Sequence, residues 1–231
     1  DMGLHAEYTS NEGLVRQIAG AAAEEKLIVH THISETESEH AECKTRHDGR
    51  TVVRYFADCG LFKSQVNAAH CVYIEDEDIE IMKEAGANVV HNPSSNLKLG
   101  SGIAPVKDYL GKGLKVALGT DGASSNNNIN MFEEMHLAAM ISRGITRDAN
   151  AISAADILKM ASYDGAMAQG RTDCGRIAVG NRADIVLIDT DRPHLQPGFD
   201  SLSDIVFSAQ GSDVVLTMTD GRVVYKDGEY S

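Results

Sequence analysis

The residues able to do chemistry recur at one kind of place in this chain, the ends of short apolar runs. Leu27-Ile28-Val29 leads into His30-Thr31-His32, and Glu35 follows three residues later. Alternate side chains of a strand share a face, so His30 and His32 point the same way, and Glu35 can swing back over whatever His32 holds. That layout suits a metal ligand beside a proton carrier. Further along, Ala68-Ala69 precedes His70, Val89-Val90 precedes His91, and Leu118-Gly119-Thr120 precedes Asp121. His5 sits where an earlier strand would end. Imidazole and carboxylate groups are donors for divalent metals, and the same groups move protons near neutral pH.

Each of these residues has a plainer alternative. A histidine on an inward face often serves only as a hydrogen-bonded core residue. His70 follows small residues that leave room in a barrel interior, which favours function; Asp121 could instead form a turn. His91, just before Asn92-Pro93, serves equally well as a loop tie or as a site residue. His30 lies one layer below His32, where a structural role is favoured. Asn126, Asn127 and Asn128 read as helix caps ahead of ligand contacts. The acidic run Glu75 to Glu80 reads as a solvated helix start, its carboxylates favoured by the dipole. His40, His47, His136 and His194 belong to no constellation.

The elements that position these ends alternate. Thr9-Ser10-Asn11-Glu12 offers a capping box, and Leu14, Val15, Ile18, Ala19 and Ala22 recur at helical spacing. A strand over 27–33 precedes a polar helix over 36–47 and a short helix over 51–62 that ends near Gly60. A strand over 65–70 precedes an amphipathic helix over 76–85, stopped by Gly86; a strand over 87–91 is broken by Asn92-Pro93. A helix over 103–112, a strand over 114–119 and helices over 130–143 and 153–168 follow. Such alternation implies a parallel sheet with helical crossovers. The spacing of the strand ends brackets the roughly 30 residues per unit of a (β/α)8 barrel. Parallel strands place all the ends on one rim, where barrel active sites lie. After Gly170 the texture changes to strands over 183–189, 214–219 and 222–225, with Asp220-Gly221 as a hairpin turn.

Bulk properties narrow the partners. A formal charge of −13 disfavours nucleic acid, whose phosphates would be repelled. No apolar run is long enough to cross a bilayer and no signal peptide opens the chain, so no membrane partner is expected. Cys43, Cys59, Cys71 and Cys174 are scattered without a CxxC pair, which reads as reduced thiols in a cytoplasmic protein. Asp1-Met2-Gly3-Leu4-His5 looks like the interior of a longer protein.

Four stretches carry a family resemblance: His32-Ile33-Ser34-Glu35, Ala69-His70-Cys71-Val72, the run from His91 through Asn92-Pro93-Ser94-Ser95-Asn96-Leu97-Lys98-Leu99 to Gly100, and Gly119-Thr120-Asp121-Gly122-Ala123-Ser124-Ser125-Asn126-Asn127. They resemble the amidohydrolase superfamily, with the nearest likeness to the 5-methylthioadenosine/S-adenosylhomocysteine deaminases, from Gly3-Leu4-His5 to Lys226-Asp227-Gly228-Glu229-Tyr230. The resemblance implies an α/β fold: a partial (β/α)8 TIM-type barrel, its last five βα units over residues 1–170, then part of a small β-sandwich in a β-rich module over 171–231. It implies one divalent metal, zinc ahead of iron, with His32 and Asp121 as ligands. Glu35, His70 and Asp121 would be catalytic. Glu35 would carry a proton to the ring nitrogen, His70 would hydrogen-bond the water or the substrate at the reacting carbon, and Asp121 would also handle a proton. His5, Glu35 and His70 would contact a small-molecule nucleoside, and a homo-oligomer is in keeping with the superfamily.

One departure is large. The family's first barrel strand carries a His-x-His pair that supplies further ligands, and it should lie before His5. His30-Thr31-His32 is not that pair, because Glu35 marks it as the fifth-strand motif. With two ligands only, this chain is expected to bind metal poorly and turn over little by itself. Guanine deaminases and chlorotriazine-type hydrolases share these strand ends and remain alternatives. A non-catalytic fragment serving as a structural or subunit-pairing module is the reading from another class.

Overall fold

The computed structural model describes residues 1–231, which form two compact units, 1–127 and 128–231. The first runs β1 (Met2–Gly3), α1 (Glu12–Glu25), β2 (Val29–Ile33), α2 (Glu37–Arg46), α3 (Val52–Asp58), β3 (Val66–His70), α4 (Asp76–Glu84), β4 (Asn88–His91), α5 (Pro93–Lys98), α6 (Val106–Gly111), β5 (Lys115–Leu118) and α7 (Ala123–Asn126). The five strands pair in parallel in chain order, so every carboxyl end faces the same rim. This is the α/β architecture expected of part of a (β/α)8 barrel.

The alternation of the strands divides the sheet into two faces. Val29, Ile33, Val66, Ala68, Val89 and Val116 are buried on one of them; a buried aliphatic side chain of this size contributes about 1.5–3 kcal/mol. The other face carries His30 and His32, in register with Asn67 and Ala69. Helix starts are set locally: the side chains of Asn11, Thr36 and Thr51 accept the amide protons of Leu14, Glu39 and Arg54, each cap being worth about 1 kcal/mol.

Three elements differ from expectation. Asn92-Pro93 ends β4 but does not lead into a loop; Pro93 takes the first position of α5, where its missing N–H costs nothing. The helix expected over 103–112 begins only at Val106. The acidic start of α4 is not wholly solvated either, because Asp78 is buried. Asp78 accepts from the Glu75 amide in a capping box and from the Thr51 hydroxyl, which ties the starts of α3 and α4 together.

The second unit runs α8 (Met131–Thr146), α9 (Ala154–Ala161), α10 (Tyr163–Ala168), β6 (Ile185–Ile188), α11 (Ser201–Phe207), β7 (Val214–Thr219), β8 (Arg222–Lys226) and β9 (Glu229–Tyr230). Its four strands form one antiparallel sheet in chain order. Asp220 (φ 51°) and Gly221 (φ 78°) are both left-handed, as a type I′ hairpin turn requires. Helices α8, α9 and α11 pack on one another, so the change of texture after residue 170 falls inside this unit, between α10 and β6. The single helix expected over 153–168 is two, separated at Ser162. No helix is long and apolar enough to cross a membrane.

Candidate active site

The strand ends of the first unit leave the β conformation in an unusual way. Ser34 (φ 46°), His70 (φ 71°), Cys71 (φ 49°) and Asp121 (φ 58°) all adopt left-handed backbone. For residues with a Cβ this is uphill by about 1–2 kcal/mol each, and such residues gather where a site demands them. The consequence is clearest at His70. Its strand register pairs it with Ile33, so strict alternation would set it on the buried face, opposite His32. The strand ends in the left-handed step instead, and the His70 ring stacks beside that of His32, centroids 5.4 Å apart and planes 20° off parallel.

Three donor side chains thereby converge. Ligand atoms of His32, His70 and Asp121 all lie within 4.8 Å of one another. His32 Nδ1 is 2.6 Å from the carbonyl oxygen of His5. A carbonyl only accepts, so Nδ1 carries the proton and Nε2 holds the lone pair. His70 likewise donates from Nδ1 to Asn96 Oδ1 at 2.7 Å. Its Nε2 is buried without a hydrogen-bond partner and lies 3.7 Å from Glu35 Oε2. Asp121 accepts from Ser95 Oγ at 2.6 Å and from the Gly122 amide at 2.7 Å. Burial alone would raise the Asp121 carboxyl, but these donors and the two histidines hold it below the usual carboxylate range.

Glu35 is fixed at both ends. Its Oε1 accepts from Ser101 Oγ at 2.8 Å, and its backbone N–H donates to Glu39 Oε2 at 2.7 Å. The His5 ring sits 4.9 Å from the His32 ring, with its Nδ1 on the Thr9 hydroxyl. His5, His30, His32, Ala69, Asn92 and Asp121 line a cleft of about 550 Å³, which falls within the range of small-molecule sites.

Two imidazoles and a carboxylate match the donor preferences of a divalent metal such as zinc. The lone pair forced onto His32 Nε2 and the unpartnered His70 Nε2 are the features such a centre uses. Glu7, Cys43 and His47 also lie close together. There, however, both Glu7 oxygens are taken by Arg46 and His47, and burial and nearby Glu7 push the Cys43 thiol up to about 12.

The structure thus brings His32, His70 and Asp121 together, with Glu35 against His70 and His5 beside His32; of these, His5, His32 and Asp121 line the cleft. His91 stays out of it: it is buried, and burial and neighbouring His70 pull its imidazole down to about 4, so it is neutral. His30 shares the cleft face one layer down, paired with Asp1. Asn126 donates to the Thr120 carbonyl, while Asn130 is the residue that caps α8. Sequence reasoning missed Ser95, Asn96, Ser101 and Glu39, and the part played by the His5 carbonyl. The signal for Ser95 and Asn96 was Pro93 at a helix start, which places the next residues on a turn facing the strand ends.

The profile of the amidohydrolase family matches residues 1–224. A 5-methylthioadenosine/S-adenosylhomocysteine deaminase of Caldanaerobacter subterraneus subsp. tengcongensis is 44% identical over 229 residues, covering 99% of this chain and 53% of that protein. A 5'-deoxyadenosine deaminase of Methanothermobacter thermautotrophicus is also 44% identical, over 228 residues, 99% of this chain and 53% of its own length. Among solved structures, an adenosine deaminase of Xanthomonas campestris with bound zinc superposes with a TM-score of 0.94 at 32% identity, covering 99% of this chain and 52% of that one. The chain spans about half the length of the curated relatives it matches. With the family profile running through all five parallel strands and most of the antiparallel sheet, this chain belongs to the amidohydrolase family.

Proposed function

We propose that this chain carries the acid–base machinery of a zinc-dependent hydrolytic deaminase acting on adenosine-type thioether nucleosides, such as 5-methylthioadenosine and S-adenosylhomocysteine, with release of ammonia. The observation that carries this reading is the convergence of His32, His70 and Asp121, with Glu35 Oε2 3.7 Å from His70 Nε2. The names of the relatives support the adenosine-type substrate, and the zinc of the adenosine deaminase structure supports the metal. On the same reading residues 1–170 belong to the barrel and 171–231 to the β-rich module. The four free, buried thiols fit a reducing compartment.

His32 through Nε2 and Asp121 through its carboxylate would hold the metal, and a closed shell needs further donors besides these two. When bound, the metal makes water acidic enough to supply hydroxide near neutral pH. Glu35 Oε2 accepts a proton and delivers it to the ring nitrogen beside the amine-bearing carbon, which makes that carbon electrophilic. His70 Nε2, its lone pair set by the bond from Nδ1 to Asn96, orients the attacking water. Asp121, an ionised acceptor anchored by Ser95 and Gly122, takes the remaining hydroxyl proton as ammonia departs. Acid–base help of this kind is worth about 10²–10⁴ in rate.

The test is ammonia release by zinc-loaded protein expressed from its complete reading frame, with 5-methylthioadenosine, S-adenosylhomocysteine, 5'-deoxyadenosine, adenosine and guanine compared side by side. The adenosine thioethers should give the highest kcat/KM. Preference for guanine, or no ammonia from any of the five, would overturn the reading.

A further inference from the structure

Helix α5 ends in a way that delivers one more side chain to Glu35. Gly100 is left-handed (φ 69°), its N–H reaches the Leu97 carbonyl at 3.2 Å, and the Ser101 N–H reaches the Asn96 carbonyl at 2.9 Å. Those two bonds are a Schellman motif, which needs a residue free to adopt positive φ at its turn. Gly102 fixes the exit: at φ 126° a Cβ there would lie 2.6 Å from Tyr73 Oη. Ser101 is therefore pinned between two glycines, and at 2% exposure it has little freedom to turn away.

The chemistry of the contact has one direction. A carboxylate only accepts, so the Ser101 hydroxyl donates to Glu35 Oε1. That leaves Oε2, 3.7 Å from His70 Nε2, as the oxygen facing the donor cluster. A terminal carboxylate torsion is broad, and its two oxygens are equivalent, so what the Ser101 bond fixes is the plane of the carboxylate and with it the approach of the second oxygen to the donor cluster. The Glu39 clamp on the Glu35 amide holds the main chain but does not set that plane.

We propose that Ser101 is a positioning residue for proton transfer by Glu35, its hydroxyl occupying Oε1 so that Oε2 is the oxygen that takes the proton from water and passes it to the substrate's ring nitrogen. In the first step the water O–H bond breaks as Oε2–H forms, leaving hydroxide. In the second, Oε2–H breaks as the ring nitrogen takes the proton and the C=N π pair moves onto that nitrogen, the hydroxide oxygen pair bonds the ring carbon, and Glu35 returns to its ionised state. This deepens the deaminase reading and rests on it.

The experiment uses zinc-loaded protein expressed from its complete reading frame and four variants: E35Q, S101A, and the equally shaped pair S101T and S101V. Loss of the hydroxyl in S101A and S101V should lower kcat about tenfold, with KM within about twofold and bound zinc at the parental level. S101T should recover most of the kcat that S101V loses, which a purely steric role would not produce. An active parent and an inactive E35Q, with equal kcat for S101T and S101V, overturn the assignment of Ser101 alone. So does an S101A defect confined to KM. S101A, which only removes an oxygen atom, decides the matter if the branched variants do not fold. A parent that releases no ammonia, or an E35Q variant at the parental rate, overturns the deaminase reading and this inference with it.

Discussion

His32 donates from Nδ1 to the backbone carbonyl of His5 across 2.6 Å, and that same carbonyl accepts the His32 amide at 2.9 Å. The His5 main chain, rather than its side chain, thus fixes which nitrogen of His32 is free to bind a metal. His32→Ala should cost about 10-fold or more in zinc affinity. His5→Ala keeps the carbonyl, so it should retain bound zinc while raising KM for the nucleoside. Zinc content by elemental analysis beside steady-state kinetics separates the two, and loss of zinc in the His5 variant would contradict the geometry.

Asp121 is the anchored acceptor of the cluster. Asp121→Asn should lower kcat by about 10²–10⁴, the range for losing a positioned acid–base group. Ser95→Ala, which frees only one of its oxygens, should cost less, about tenfold. The check is ammonia release at saturating nucleoside. Equal losses in the two variants would mean that Ser95 does more than hold Asp121.

Glu7 provides a pH prediction away from the cleft. Burial would raise its carboxyl, but hydrogen bonds from Arg46 and then His47 more than offset this and leave it below its ordinary value. A carboxyl lowered in the folded state stabilises at pH above its unfolded value, and that stability is lost as pH falls through the folded value. Glu7→Gln should therefore destabilise by about 1–2 kcal/mol near neutral pH, since Arg46 is partly exposed and keeps Glu42 as a partner. The gap between parent and variant should close progressively below the ordinary carboxylate range. Urea melts across pH, where the folded state permits them, read this directly; a gap that widens in acid would refute the sign.

Gly102 is a position that tolerates no side chain. A Cβ there would lie 2.6 Å from Tyr73 Oη and 2.9 Å from Val72 Cγ1, on a backbone with φ 126°. Gly102→Ala should destabilise by about 2 kcal/mol or more through combined strain and overlap. Because Ser101 precedes it, kcat should fall as well. Thermal melting and ammonia release should move together in this variant.

The order of strands and helices was legible because it is written in local periodicity. Val29, Val89 and Val116 each lie in a short β-branched or apolar run bounded by turn signals, the pattern of a buried strand. Asp220-Gly221 between two apolar runs is a strong hairpin signal. The residue types at the strand ends, His32, His70 and Asp121, with Glu35 beyond, were legible for the same reason, since a chemically distinctive group at the end of an apolar run stands out without coordinates. What the sequence could not decide was which way those groups face. Period-two alternation puts His70 on the wrong face, and left-handed steps at His70 and Asp121 depend on neighbours distant in sequence. Nor could it show that one short helix behind Pro93 hands Ser95 to Asp121, Asn96 to His70 and, past Gly100, Ser101 to Glu35. Those bonds join residues 26 or more positions apart, and only the packed sheet brings them within reach of each other.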